Sequence, residues 1–179
     1  MTSHLAKNAQ YNLKSIASDK LTNKEIKDIC LLKDTQWKFG IKSQIDWFNN
    51  NIKKNDLHNL FYINSKLVGY TLLRKRTFEI KALNKKAKYL LFDTLVIDKK
   101  YRDIQLSKLI MNFNNMIIKR STLFSFLICK DKLVSFYKKN NWKKLNKKTF
   151  NIVDYPFSSN GMIFNKLNFN KKCFFYINK

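Results

Sequence analysis

Between residues 89 and 117 the hydrophobic period changes once, and that change sets the fold class. Tyr89 to Ile97 is a mostly apolar run broken only by Asp93 and Thr94, which reads as a buried strand. Leu106, Leu109, Ile110, Phe113, Met116 and Ile117 then recur three and four apart, with Lys108, Asn112, Asn115 and Lys119 between them. That is the apolar face of an amphipathic helix. A buried strand feeding such a helix through a short basic turn puts the chain in the α/β class, with helices laid on a sheet.

The flanking sequence extends the pattern. Asn12 to Ser18 reads as a first strand. Thr22-Asn23-Lys24-Glu25 is a capping box, and Ile26, Ile29 and Cys30 follow at helical spacing. A second helix is expected to open at Ser43, with Ile45, Phe48 and Ile52 on one face and Asp46 in its first turn. Leu60 to Ile63 and Leu67 to Leu73 flank the polar turn Asn64-Ser65-Lys66, which predicts a hairpin. Leu123 to Cys129 is rich in strand formers, and Asp131 to Lys139 is a short helix stopped by Asn140-Asn141. Strands near Thr149 to Val153 and Gly161 to Leu167 finish the chain. The expected order is β-α-α-β-β-β-α-β-α-β-β, an α+β mixed sheet. One domain over residues 1–179, with its core at about 12–168, accommodates it.

Composition narrows the function classes. Apolar residues make up 45% and aromatics 15%, with three Gly and one Pro, which excludes disordered, collagen-like and linker-rich chains. Lys+Arg 36 against Asp+Glu 12 gives a net charge of +24. The partners this suggests are nucleic acid, an anionic membrane or a phosphorylated ligand. Only Arg74, Arg76, Arg102 and Arg120 are arginines, however, and a lysine excess of this kind also follows from A/T-rich codon usage. Cys30, Cys129 and Cys173 are far apart, and His4 and His58 lie away from them, so neither a zinc site nor a disulfide framework is expected. The N-terminus lacks an apolar signal core and no apolar run reaches membrane-spanning length. A soluble cytoplasmic protein, with no membrane partner, is the expectation.

The densest chemistry lies from Leu95 to Lys108. There the strand ends in a basic turn that opens into the helix. Free backbone N–H groups and the positive dipole end suit a pyrophosphate, and Lys99, Lys100, Arg102 and Lys108 add charge. Arg102-Asp103-Ile104-Gln105-Leu106-Ser107 resembles the Arg/Gln-x-x-Gly-x-Gly/Ala signature of the GNAT superfamily, the acetyl-CoA-dependent N-acetyltransferases. Gln105 stands where the signature has its central glycine and Ser107 where it has its second small residue. Phe136-Tyr137, followed by Asn141-Trp142, resembles a later block of the family, with Asn in place of Gly. Leu67-Val68-Gly69-Tyr70 and Gly161 to Lys166 resemble two of its strands.

The resemblance implies a GNAT-like fold and acetyl-CoA as co-substrate, with no metal. Arg102, Asp103, Ile104, Gln105, Leu106, Ser107 and Lys108 would hold the pyrophosphate. Leu95, Val96 and Ile97 would offer backbone groups to the pantetheine arm and the thioester carbonyl. Tyr137 matches the position that protonates the departing thiolate in many members. Asp93 either takes a proton from the incoming amine or pairs with a lysine as a strand-end acid. Trp37 and Trp47 flank the early helices, which line the acceptor site in the family or pack the core. His58 reads as a loop residue or an acceptor contact. The implied reaction moves an acetyl group to a primary amine of a small molecule by direct attack, in a monomer or homodimer. Alternatives are a macromolecular acceptor such as charged tRNA or a protein, and a non-enzymatic nucleic-acid-binding module.

Overall fold

The computed structural model of the protein describes residues 10–102, 104–156, 159–166 and 169–178. β1 (Tyr11–Ala17) leads into α1 (Asn23–Asp34) and α2 (Ile41–Asn51). β2 (Leu57–Ile63), β3 (Lys66–Ile80) and β4 (Lys85–Ile97) follow as a meander. Next come α3 (Ile104–Arg120), β5 (Ser125–Cys129) and α4 (Asp131–Lys139). β6 (Lys143–Lys144), β7 (Phe150–Ile152), β8 (Asn160–Phe164) and β9 (Cys173–Phe175) complete the described elements. The strands form one mixed sheet with the path β1-β2-β3-β4-β5-β8-β6, while β9 pairs with β3 and β7. The pairs β4–β5 and β7–β9 are parallel. This is the mixed α/β class that the period change predicts.

Local chemistry accounts for the element ends. The Thr22 hydroxyl accepts from the Glu25 amide at 3.2 Å, and the Glu25 carboxylate accepts from the Thr22 amide at 2.9 Å, which starts α1. Asn64 (φ 47) and Ser65 (φ 62) turn β2 into β3 with two left-handed residues. α4 stops in a Schellman motif: the Trp142 amide donates to the Tyr137 carbonyl and the Asn141 amide to the Lys138 carbonyl, both at 3.1 Å. Asn141 takes the left-handed position at φ 67.

Helices cover both faces of the sheet. Ile29, Cys30, Leu32 and Phe48 of α1 and α2 pack on Leu60, Tyr70, Leu72 and Val96. On the other face, Met111 and Ile118 of α3 and Tyr137 of α4 share a core with Leu73, Leu90, Phe92, Leu127 and Trp142. A Cβ at Gly69 would collide with the Ile110 side chain, so this glycine lets α3 lie close on β3. No described helix is long and apolar enough to cross a membrane.

Several boundaries differ from expectation. α2 opens at Ile41, not Ser43, because Gly40 (φ 84) makes the turn and its amide donates to Asp34 at 2.8 Å. Asp46 therefore lies in the middle of the helix, not in its first turn. β3 runs on to Ile80 and β4 starts at Lys85, although this stretch is dense in lysine. Its alternate residues Arg76, Phe78 and Tyr89 are buried, which sustains the pairing. Four strands follow α4 where two were expected, since β6 and β9 are two and three residues long. The last expected strand begins at Asn160 and ends at Phe164; Leu167 lies outside the described residues.

Candidate functional site

β4 and β5 part almost as soon as they meet. They pair at Leu90–Ser125 and Leu91–Phe126. Beyond that, β3 holds the outer side of β4 as far as Ile97, and β8 holds the outer side of β5 as far as Cys129. The inner edges of the two strands are left without each other. The β3–β4 register slips so that Leu72 faces Thr94 and Leu73 faces Phe92, which makes Asp93 the extra residue of a β-bulge. A bulge bends and over-twists its strand, turning β4 away from β5 at this level. Aromatic side chains pack around Tyr137: the Phe92 ring lies 6.2 Å from Tyr137 and 5.5 Å from Trp142, centroid to centroid.

A cleft of about 900 Å³ occupies the gap. Asp93, Leu95, Val96 and Ile97 of β4 line one wall, continuing into Arg102 and Ser107. Ile128, Cys129, Lys130, Lys132, Leu133, Phe136 and Tyr137 line the other. Gln36 and Trp37, which follow α1, and Tyr155, Pro156 and Ser159 complete the lining. The strand wall, two residues of the helix turn and Tyr137 thus line one cavity.

Tyr137 is 8% exposed. Burial raises its phenol pKa well above the usual value, and Cys129 adds to the rise. A phenol held neutral in this way can donate a proton but does not serve as a base at neutral pH. Among the described residues no group hydrogen-bonds its hydroxyl.

Asp93 pairs with an arginine, not a lysine: its carboxylate accepts from Arg74 Nη1 at 3.0 Å. Arg74 is buried and also donates to the Asn51 carbonyl at 3.1 Å. Trp47 lies behind this pair, with the Lys33 ammonium 3.7 Å and the Arg74 guanidinium 5.7 Å from its ring centroid. Burial lowers the pKa of Lys33, and the charge of Asp93 opposes that shift. Sequence reasoning missed Arg74 and Lys33, because the pairing partner of Asp93 sits on a neighbouring strand and no local spacing announces it.

The basic turn divides its residues. Arg102 lies on the cleft, where Nε donates to the Ile97 carbonyl at 2.9 Å and Nη2 to Gln36 Oε1 at 2.6 Å. This ties the turn to β4 and to the segment after α1. Ile104 is the first residue of α3, and Asp103 lies outside the described residues. Ser107 lines the cleft, while the Leu106 side chain is 2% exposed and packs in the core with Val68 and Ile97. Gln105 and Lys108 are exposed, and neither is among the described residues lining the cleft; the same holds for Lys99 and Lys100. Of the four cations at the turn only Arg102 is among the described lining residues, which also include Lys130 and Lys132.

His58 is not a loop residue, and it is not among the described residues lining the cleft. It is fully buried on β2, hydrogen-bonded to Ser18 Oγ at 2.8 Å and Tyr70 Oη at 2.9 Å. Burial takes its pKa down to about 4.

This architecture has close counterparts among solved structures. An acyl-CoA N-acyltransferase from Pseudomonas aeruginosa superposes with a TM-score of 0.63 at 14% identity, over 86% of this chain and 99% of that one. A GNAT-family N-acetyltransferase from Escherichia coli in complex with CoA gives 0.61 at 12% identity, over 87% and 79%. The PaiA N-acetyltransferase of Thermoplasma acidophilum, in complex with coenzyme A, gives 0.54 at 16% identity, over 85% and 98%. The chain has the fold of the GNAT superfamily. No protein-family model matches the sequence, and comparison with curated protein sequences finds no match.

Proposed function

We propose that the protein is an acyltransferase that moves an acetyl group from acetyl-CoA to a primary amine of a small molecule. The observation that carries this reading is the opening between β4 and β5 with Tyr137 on its wall. Pantetheine is a chain with two amides, and the unpaired inner edge of β4 offers it the partners that a neighbouring strand would otherwise supply. Gln105 points its bulk to solvent and does not obstruct the cleft. The first turn of α3 presents backbone N–H groups to a pyrophosphate, with Arg102 beside them.

With a thioester in the cleft, backbone amides near Leu95 to Ile97 polarise its carbonyl. The neutral amine nitrogen attacks the carbonyl carbon and forms a tetrahedral intermediate. The C–S bond then breaks as Tyr137 gives its proton to the departing sulfur, and the proton lost by the new amide nitrogen restores the Tyr137 phenol through water. The dry environment that makes phenolate costly also makes the thiolate costly, so the transfer keeps its direction. Asp93, paired with Arg74, draws the acceptor ammonium and accepts its proton directly or through water. The +24 charge favours a second reading, in which the amine is carried on a polyanion such as charged tRNA.

A panel of amines incubated with acetyl-CoA, with release of free thiol followed, tests the proposal. Amine-dependent release that disappears in Tyr137→Phe is the expected outcome. A folded protein that binds CoA but releases thiol with no amine contradicts it.

A further inference from the structure

Asn115 stands in the middle of α3 and is buried, on the same side of the helix as the buried Met111 and Ile118. Its Oδ1 accepts from Trp142 Nε1 at 3.1 Å, and its Nδ2 donates to the Asn140 carbonyl at 2.9 Å. An indole nitrogen only donates and a backbone carbonyl only accepts, so the orientation of the amide is fixed. Asn140 is the C-cap of α4, and its own Nδ2 donates back to the Phe136 carbonyl at 2.9 Å. One side chain of α3 thus holds both the end of α4 and the tryptophan that follows it.

Core packing does not call for this amide. Met111 and Ile118 on the same face share an apolar core with Leu73, Leu90 and Phe92. A buried amide is costly unless it is bonded, and a hydrocarbon side chain would bury apolar area without that condition. Apolar burial is non-directional, whereas a hydrogen bond holds its partner in one place. What the amide adds is position.

The group on α4 that needs position is Tyr137. Among the described residues no group hydrogen-bonds its hydroxyl, so the reactive end is not held directly. Its ring is held by packing against Phe136, Trp142 and Phe92, with centroids 5.2, 6.0 and 6.2 Å away. Of these three only the indole can form a side-chain hydrogen bond, and Asn115 takes it. The Trp142 amide also donates to the Tyr137 carbonyl at 3.1 Å. Trp142 therefore meets Tyr137 through both ring and backbone. Asn115 and Trp142 are not among the described residues lining the cleft, so their route to a substrate runs through Tyr137.

We propose that Asn115 is a positioning residue, which through Trp142 and the end of α4 holds the Tyr137 phenol where the thiolate departs. The proposal rests on the reading of Tyr137 as the acid of acyl transfer.

A double-mutant cycle between Asn115→Leu and Tyr137→Phe tests it. Thiol release from acetyl-CoA is followed with the amine that the acceptor panel selects, and CoA affinity is measured by calorimetry. With Tyr137 present, Asn115→Leu should lower kcat roughly tenfold to a hundredfold, the scale of a small misplacement of a reacting group. CoA affinity should stay within about twofold of wild type, since only the transition state loses an interaction. In the Tyr137→Phe background the same substitution should leave kcat within about twofold, because no phenolic proton remains to be placed. Trp142→Phe keeps an aromatic ring against Phe92 and removes only the indole bond. It should show a smaller loss with the same dependence on Tyr137, and it carries the test if Asn115→Leu does not fold. Equal losses in both backgrounds, or wild-type kcat in folded Asn115→Leu, would overturn the proposal and leave the reading of Tyr137 standing. If Tyr137→Phe turns over like wild type, or folded wild type releases thiol with no amine, that reading falls, and the proposal with it.

Discussion

In the proposed reaction, the two proton-handling groups, Tyr137 and Asp93, sit in different environments. Tyr137 is buried and kept neutral, whereas Asp93 pairs with a buried arginine at the cleft. Tyr137→Phe should lower turnover by about 10² to 10⁴ while the affinity for CoA stays near wild type, as stopped-time assays and calorimetry would show. Asp93→Asn should lower kcat/KM for the amine at neutral pH and recover part of the loss at alkaline pH, where more of the amine is already neutral. A loss that is flat with pH would assign Asp93 a purely structural role beside Arg74. The third residue whose behaviour follows from its surroundings is His58, whose folded pKa of about 4 lies below the unfolded value near 6.5. Between those values the unfolded chain binds the proton and the folded chain does not, so stability falls as pH drops through this window. The slope is at most about 1.4 kcal/mol per pH unit, and the contribution is fully present above pH 6.5. Urea unfolding between pH 7.5 and 4.5 should show this slope, and His58→Gln should flatten it. An unchanged slope in the variant would mean that other groups titrate. Tyr137 was legible in the sequence because its helix carries a distinctive aromatic pair and stop. Arg74 was not, because a cross-strand ion pair leaves no mark on local spacing.

Elements whose signals are short-range appeared in the sequence almost as they stand. The capping box starts α1, and the Asn140-Asn141 stop ends α4. Asn141 at φ 67 also offers a direct test: alanine there should destabilise by about 1 kcal/mol in chemical denaturation, and glycine should be neutral or stabilising. Equal stability of the alanine variant would mean that α4 ends in another way. The splay of β4 from β5 was less visible. It depends on a register slip at Asp93, which only the partner strand defines. β9 escaped notice because three residues, Cys173–Phe175, are too few to establish a period. It forms because the far end of the β3–β4 hairpin offers Phe78 and Tyr89, and the Phe175 ring stacks on Phe126 at 4.0 Å. The lysine-dense ends of β3 and β4 fall outside the expected strands for the opposite reason: charge obscures an alternation whose buried half is aromatic and arginine.

Over the whole molecule, 36 basic residues face 12 acidic ones, and the described ion pairs engage only Lys14, Lys54, Lys66, Lys86, Arg74 and Arg76. The remaining charge repels itself in the compact state, so the melting temperature should rise as inert salt screens it. A melting temperature independent of salt would show that the lysines are compensated in some other way. What the fold adds to this basic shell is one opening in its sheet, walled by β4, α4 and the basic turn. The claim that this opening is a thioester site is tested most directly by titrating CoA into the purified wild-type protein by calorimetry, with Tyr137→Phe and Arg102→Ala alongside. The account predicts saturable one-to-one binding that Arg102→Ala weakens and Tyr137→Phe leaves nearly intact. Folded wild-type protein that takes up no CoA at millimolar concentration would contradict it.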